Sequence, residues 1–154
     1  GIILRAYVYT LMLGGEGLRH VAETAVLNAN YIRARLRKHY QPAVDRVCKH
    51  ECVFSTTEKM AANGVHALDI AKTLIDMGFH PPTIYFPTTV KEAMMVEPTE
   101  SESKETIDAF IDAMIAIAGL AETDPAKLKA APANAPISRP DEVAAAKKLN
   151  IAFL

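Results

Sequence analysis

The sequence lacks the features that mark secreted, disulfide-stapled or membrane-spanning proteins. It has no tryptophan and only two cysteines, Cys48 and Cys52, which fit no secreted disulfide framework. Its apolar runs are shorter than the ~20 residues that a helix needs to cross a bilayer. Gly1 leads directly into a helix-like segment in place of the charged start of a signal peptide. We therefore expect a cytoplasmic protein without a membrane partner.

An excess of charge of one sign is also missing. The chain carries 17 Lys and Arg against 18 Asp and Glu, so composition indicates neither nucleic acid nor an anionic membrane as a partner. The one basic cluster, Arg33 to His39, lies in the last turns of a predicted helix, where cations complement the helix dipole. We interpret this cluster as structural.

The length of 154 residues suits one hydrophobic core and is short for two. The chain opens with Gly1 inside a structured pattern and has no initiator methionine there. We therefore expect these residues to be a piece of a longer polypeptide.

Glycines separate the first two predicted helices. Ile3, Tyr7 and Leu11 recur at helical spacing, and Gly14-Gly15 then stop and restart the helix. The second helix runs from about Glu16 to His39. Its apolar stripe consists of Leu18, Val21, Ala22, Ala25, Ala29, Ile32 and Leu36.

Two further helices carry apolar stripes. The third follows a turn at Asn63-Gly64, ends at Gly78, and buries Ala67, Ile70, Ala71 and Leu74. The fourth has the stripe Ile107, Phe110, Ile111, Met114, Ile117 and Ala118. Its N-cap candidates are Thr99, Ser101 and Ser103, and Thr99 with Glu102 matches a capping box.

The end of the chain contains less regular structure. Asp124-Pro125 predicts a short fifth helix with its cap and first-turn proline. Three prolines between Ala131 and Pro140 predict an extended surface segment, followed by a short helix from Asp141 to Lys148.

Three segments are typical of β-strands. Lys49 to Thr57 places Cys52 and Phe54 on one face, Thr83 to Phe86 is stopped by Pro87 and suits a sheet edge, and Ala93 to Glu97 is closed by Pro98. The sequence therefore predicts an α+β fold, with a small, largely antiparallel sheet covered by helices. We expect a helical entry over residues 1–48, an α+β core over 49–122, and a C-terminal helix and tail over 123–154.

Two motifs that resemble ligand sites have simpler explanations. The glycines at 14, 15 and 17 follow no strand and lack the spacing of a phosphate-binding loop, so they are better explained by helix capping. Cys48, His50 and Cys52 crowd three possible ligands into five residues without a second pair elsewhere, which makes a poor zinc site. We expect no metal site.

The carboxylates near the fourth helix differ in position. Glu100, Glu102 and Glu105 fall where a helix N-terminus favours negative charge. Glu97 instead ends a strand, from which its side chain can enter a cleft.

The segment 78–103 combines helix breakers with polar groups. Pro81 and Pro82 fix their own φ near about −65° and push the residues before them out of helical space. His80 and Thr83 are therefore displayed on a stiff, non-helical segment, which is typical of a loop that lines a site.

Five segments carry a resemblance to a known family. They are RAYVYTLMLGGEGL (Arg5 to Leu18), AVLNANYIRARL (Ala25 to Leu36), HECVFS (His50 to Ser55), ALDIAKTLIDMGFHPPTIYFP (Ala67 to Pro87) and MMVEPTESESKETIDAFIDAM (Met94 to Met114). In this order they resemble the C-terminal part of the pyridoxal-phosphate-dependent glycine decarboxylase, the P-protein of the glycine cleavage system. The form HPPTIYFP is closer to the second subunit of the two-subunit type than to the fused type.

The resemblance implies the small C-terminal domain of a fold-type-I pyridoxal-phosphate enzyme. That family decarboxylates glycine and passes the aminomethyl group to the lipoyl arm of the H-protein, with the cofactor as electron sink. Its cofactor-binding lysine stands in a His-Lys motif that lies upstream of these segments, and neither Lys38-His39 nor Lys49-His50 matches that motif. The resemblance therefore implies no catalytic, cofactor-binding or metal-binding residue here, and an inactive fragment.

The partners implied are the rest of the same subunit, the first P-protein subunit, the lipoylated H-protein and glycine. In a fragment, the apolar stripes of the first two helices would be exposed where they normally pack on the missing large domain.

Arginine is absent between Arg46 and Arg139. A bidentate arginine would stabilise the substrate carboxylate, which must leave as neutral carbon dioxide, so weaker polar contacts suit a decarboxylase. Our candidates for the glycine and lipoyl-arm channel are His80, Thr83, Glu97 and Thr99. The alternative function is a free-standing, non-catalytic α+β interaction or regulatory module.

Overall fold

The computed structural model describes residues 1–148 of the chain. Its helices are α1 (Ile2–Leu36), α2 (Glu58–Ala62), α3 (Ala67–Asp76), α4 (Lys104–Thr123), α5 (Pro125–Ala130) and α6 (Glu142–Lys147). Its strands are β1 (Gln41–Pro42), β2 (Cys52–Ser55), β3 (Thr83–Ile84) and β4 (Met94–Val96). The predicted α+β fold is confirmed.

The sheet has the strand order β1-β2-β4-β3, and each described pairing is antiparallel. Cys52 and Phe54 of β2 are buried while Val53 and Ser55 are half-buried, which confirms the predicted faces. β3 lies at the edge, as the proline after it predicted, because proline cannot donate to a strand neighbour. All three predicted strands are shorter than expected, and the two-residue β1 was not predicted.

The hydrophobic core joins the sheet to the five helices α1 to α5. Its largest fully buried members are Tyr40, Phe54, Ile32, Leu36, Ile70, Leu74, Met94, Ile111, Met114, Ile117, Leu128 and Val65. Tyr40 also donates its hydroxyl hydrogen bond to the carbonyl oxygen of Met114 at 2.8 Å, which satisfies a polar group that burial would otherwise penalise. The boundaries after residues 48 and 122 remain a prediction.

Helix α1 contains the predicted break. Gly14 has φ 58° and ψ −172°, a non-helical conformation that glycine adopts without a steric penalty, so the helix stops and restarts there. Along the predicted stripe of the second segment, only Ala29, Ile32 and Leu36 are buried. Of the other stripe residues, Leu18 and Ala22 are exposed, and Val21 and Ala25 are half-buried.

Helix α2 was missed by the sequence analysis, which assigned Thr57 to the end of a strand. The hydroxyl of Thr57 instead accepts a hydrogen bond from the amide of Met60 at 3.3 Å and caps α2. The turn at Asn63-Gly64 and the buried stripe of α3 are as predicted, and Gly78 follows α3 with φ 81°.

The start of α4 corrects the predicted capping box at Thr99. Ser103 is the N-cap, and its hydroxyl accepts from the amide of Thr106 at 3.2 Å. Thr99 lies outside the helix because its carbonyl accepts from the side-chain amide of Asn28 on α1 at 2.9 Å. Of the predicted stripe, Phe110 is half-buried and the other five residues are buried.

The C-terminal part follows the predicted order. Asp124 caps α5 through the amide of Lys127, and residues 131–140 have no regular structure. Asp76 holds this segment by accepting from the amides of Ala133 and Asn134, at 2.6 and 2.8 Å. The last helix among the described residues is α6, close to its predicted bounds, and residues 149–154 of the predicted segment 123–154 lie outside the described residues.

Candidate functional site

An open cleft of about 540 Å³ lies between the proline-held segment 78–83, the end of β4 and the start of α4. Three of the four residues proposed from the sequence, His80, Thr83 and Glu97, line it. They come from separate elements, and the fold brings them together in one place.

The strand pairing and one aromatic contact position these side chains. β3 pairs with β4 so that Thr83 lies opposite Met95, and Glu97, which directly follows β4, is two residues beyond Met95. Phe79 packs edge-on against Phe110 of α4, with ring centroids 5.8 Å apart. The segment that carries His80 is therefore anchored to α4 on one side and to the sheet on the other.

The polar groups at the cleft are available for contacts. His80, Thr83 and Glu97 are exposed, and within residues 1–148 the side chains of His80 and Thr83 have no hydrogen-bond partner. The Oε1 atom of Glu97 lies 3.7 Å from Nε2 of His50, which precedes the neighbouring strand β2. Because both side chains of this pair are more than half exposed, the contact leaves Glu97 accessible from the cleft.

Thr99 is not among the residues that line the cleft. Its hydroxyl lies 2.7 Å from the hydroxyl of Ser101, and its carbonyl accepts the bond from Asn28. Thr99 therefore attaches the β4–α4 connection to α1.

Sequence reasoning missed two polar residues at the cleft, Glu102 and Thr106. Glu102 was grouped with carboxylates that serve the helix N-terminus, and Thr106 was not considered. Glu102 lies before the N-cap Ser103 while Thr106 lies in the first turn of α4, so helix periodicity does not relate them and only the fold shows that both line the cleft.

The cleft does not by itself fit a phosphate-bearing cofactor. Among its described lining residues there is no lysine or arginine, so it offers neither a lysine for covalent attachment nor a cation for a phosphate group. A cofactor of that kind would have to be held by residues that do not line this cleft.

The two cysteines are free thiols in different surroundings. Cys52 is buried in the core, and this burial raises the pKa of its thiol well above the ordinary value. Cys48 is half-buried, and desolvation raises the pKa of its thiol, opposed in part by a backbone hydrogen bond and by Arg33. Within residues 1–148 no three His, Cys, Asp or Glu side chains are grouped in a way that could hold a metal ion.

No helix in the described part of the chain is long and apolar enough to cross a membrane.

Comparisons with known proteins agree on one family. The family profile described as "Glycine dehydrogenase, C-terminal domain" matches residues 21–136. A protein from Staphylococcus haemolyticus (strain JCSC1435), named "Probable glycine dehydrogenase (decarboxylating) subunit 2", is 56% identical over 99% of this chain. A protein of the same name from Staphylococcus aureus (strain COL) is 54% identical over 99% of the chain. The chain spans 31% of the length of each of these relatives.

A solved structure has a similar fold. The chain matches the crystal structure of glycine decarboxylase (P-protein) of the glycine cleavage system, in inhibitor-bound form, with a TM-score of 0.61 and 22% identity. The match covers 71% of this chain and 24% of that one. The name "subunit 2" of the Staphylococcus proteins implies that those relatives act with another subunit. On the extent of the profile match and the identity to these relatives, the chain belongs to the glycine dehydrogenase C-terminal domain family.

Proposed function

We propose that this chain is the C-terminal domain of a pyridoxal-phosphate-dependent glycine decarboxylase and forms one wall of its substrate channel. The complete enzyme would release carbon dioxide from glycine and pass the aminomethyl group to the lipoyl arm of an H-protein. The observation that carries the proposal is the convergence of His80, Thr83 and Glu97 on one cleft, in a chain 56% identical to a subunit named for this reaction.

The chemistry of the cleft suits a substrate that must lose its carboxylate. Its lining offers an imidazole, hydroxyl groups and carboxylates, and no guanidinium among the described residues. Neutral donors such as Thr83 orient a substrate without strongly stabilising the carboxylate of the ground state, so less of that stabilisation is lost when carbon dioxide forms. We propose that His80 and Thr83 supply these contacts.

Pyridoxal phosphate, in this proposal, is bound by the remainder of the polypeptide, and it provides the electron sink for the carbanion left by decarboxylation. The residues of this chain shape the channel and orient what passes through it. The proposed partners are the rest of the same subunit, the first P-protein subunit and a lipoylated H-protein. Free thiols at Cys48 and Cys52 support a reducing, cytoplasmic location.

The test is the His80→Ala substitution in the complete enzyme, assembled with its partner subunit and H-protein. We expect glycine turnover to fall at least about tenfold, on the order of 1.4 kcal/mol of transition-state stabilisation, measured as release of labelled carbon dioxide from glycine. The loss arises because the imidazole is displayed on a rigid segment beside the channel.

His39→Ala is the matched control, since His39 follows α1 and does not line the cleft. It should leave turnover within about twofold of wild type. Wild-type kinetics in the His80→Ala enzyme would remove His80 from the channel. An intact enzyme that shows no turnover of glycine at all would instead favour a non-catalytic module.

A further inference from the structure

A second cleft, of about 630 Å³, lies between the end of α1, the loop 43–51 and the segment 87–90. It shares no lining residue with the cleft that contains His80. Nothing in the proposed decarboxylation uses it.

The charged groups of this second cleft are mainly cationic. Arg33, Arg46 and Lys49 line it, together with His50, and Glu51 is the carboxylate in its described lining. Asp45, which pairs with Arg33, lies in the same loop, so three cations face two carboxylates and leave a local excess of about one positive charge with a neutral imidazole. This excess is local, because the whole chain has a formal net charge of −1.

Arg33 is the most deeply placed of these cations. Its side chain is only 13% exposed, and its Nη2 donates to Oδ1 of Asp45 at 2.5 Å. Its Nε is buried and has no hydrogen-bond partner in the described part of the protein. Asp45 is 81% exposed, so it satisfies one edge of the guanidinium from the solvent side. A buried donor without an acceptor is uncommon in folded proteins, and an anion that is part of the functional complex is one recognised explanation.

The loop that bears the other two cations is fixed to α1. The side chain of Asn30 accepts from the amide of Cys48 at 3.0 Å and donates to the carbonyl of Cys48 at 2.7 Å. Cys48 lies between Arg46 and Lys49 in the sequence, so this two-point attachment holds the middle of the loop beside Arg33. A fixed arrangement of cations loses little conformational freedom when an anion binds.

We propose that the second cleft is a binding site for a phosphate group, with Arg33 as its principal ligand and Arg46 and Lys49 completing the charge. The guanidinium carries five N–H donors and Asp45 engages Nη2, which leaves other donors of Arg33 for an oxyanion. A phosphate group offers three acceptor oxygens to these three cationic side chains, whereas a carboxylate offers two. The phosphate is either free or esterified to a small molecule.

The experiment uses the complete subunit and measures phosphate binding by isothermal titration calorimetry, with ionic strength held constant by sodium chloride. Inorganic phosphate and glycerol phosphate are titrated separately, which distinguishes the free anion from a monoester, and acetate tests a carboxylate. We expect saturable binding of at least one phosphate species and markedly weaker binding of acetate. Arg33→Gln should weaken phosphate binding at least about tenfold, because it removes both the charge and the fork.

Arg19→Gln is the matched control, since Arg19 lies on the same helix but is exposed and paired with Glu23. It should bind phosphate like wild type, while Arg33→Lys, which keeps the charge without the fork, should fall between wild type and Arg33→Gln. If Arg33→Gln does not fold, the double variant Arg46→Gln/Lys49→Gln, at two exposed positions, tests the same site and should also weaken binding.

The proposal is overturned if wild-type protein binds neither phosphate species above the chloride control, or if acetate binds as tightly as phosphate. It is equally overturned if folded Arg33→Gln, or the folded double variant, retains wild-type affinity. Glycine turnover is not a readout of this experiment, so its outcome is independent of the proposed decarboxylase function.

Discussion

The N-terminal part of α1 and helix α4 have similar apolar patterns and opposite surroundings. Helix α4 contacts α1, α2, α3 and α5, and its Ile111 and Met114 are fully buried. In α1, Ile3 and Met12 are 85% and 80% exposed, and Leu11 is also exposed. A helical apolar stripe thus predicts that a helix packs against something, but not that the partner lies within the same 154 residues. The relatives are about three times longer than this chain, which supports a partner in the remaining polypeptide.

The sharpest test of this comparison deletes the same atoms from both helices. Ile111→Ala should lower the free energy of unfolding of the 154-residue chain by about 2–5 kcal/mol, because it leaves a cavity in the core. Ile3→Ala should change it by less than about 0.5 kcal/mol, since the side chain is already in water. Urea denaturation followed by circular dichroism measures the free energy of unfolding of both variants. Equal losses would show that the difference in burial between the two helices does not determine the cost of the substitution.

Two ion pairs extend the comparison from apolar to charged groups. Arg139 donates to Oδ1 of Asp69 at 2.7 Å, and Asp69 is only 4% exposed, so Arg139→Ala leaves a buried carboxylate with less compensation. We expect a loss of about 2–3 kcal/mol in the free energy of unfolding, below the value for a fully buried pair because Arg139 is partly exposed.

Arg19→Ala is the control, because the Arg19–Glu23 pair is exposed on α1. Its cost should stay below about 1 kcal/mol in the same urea titration. A larger loss for Arg19→Ala than for Arg139→Ala would mean that the Asp69 contact does not hold the C-terminal segment to α3.

The smallest expected effect concerns where α4 begins. Ser103→Ala should reduce the free energy of unfolding by about 1 kcal/mol, because the hydroxyl that accepts from the amide of Thr106 is lost. Thr99→Ala should cost less, since the bond from Asn28 goes to the backbone carbonyl of Thr99 and survives the change. Thermal melts of the two variants measure which loses more stability. A larger loss for Thr99→Ala than for Ser103→Ala would support the capping box at Thr99.

Local rules account for much of what was predicted correctly. Gly14 breaks α1, Asp124 and Pro125 start α5, and the proline after Phe86 limits β3 to the sheet edge. Each of these depends on the conformational limits of one or two residues, which their neighbours in space do not change. Thr57 shows where such rules fail, because the end of a strand and the cap of a helix use the same residue types.

At both clefts, local rules predicted some features and the tertiary structure decided the others. The two prolines predicted that His80 and Thr83 lie on a stiff, non-helical segment. Only the pairing of β3 with β4 placed Thr83 near Glu97. Arg33 belonged to a basic cluster that a helix dipole explains equally well. Only the structure shows that its side chain is largely buried and paired with Asp45, on a loop that Asn30 of α1 fixes at Cys48.

The amino-acid sequence alone determined most of the order of helices and strands and the faces that seek burial, because these follow from short-range sterics and periodicity. The family resemblance came from the residues of five segments. Tertiary structure decided which stripes are covered, which serine caps α4 and which polar residues share a cleft. Those outcomes depend on contacts between residues far apart in the chain, whose energies no local pattern contains.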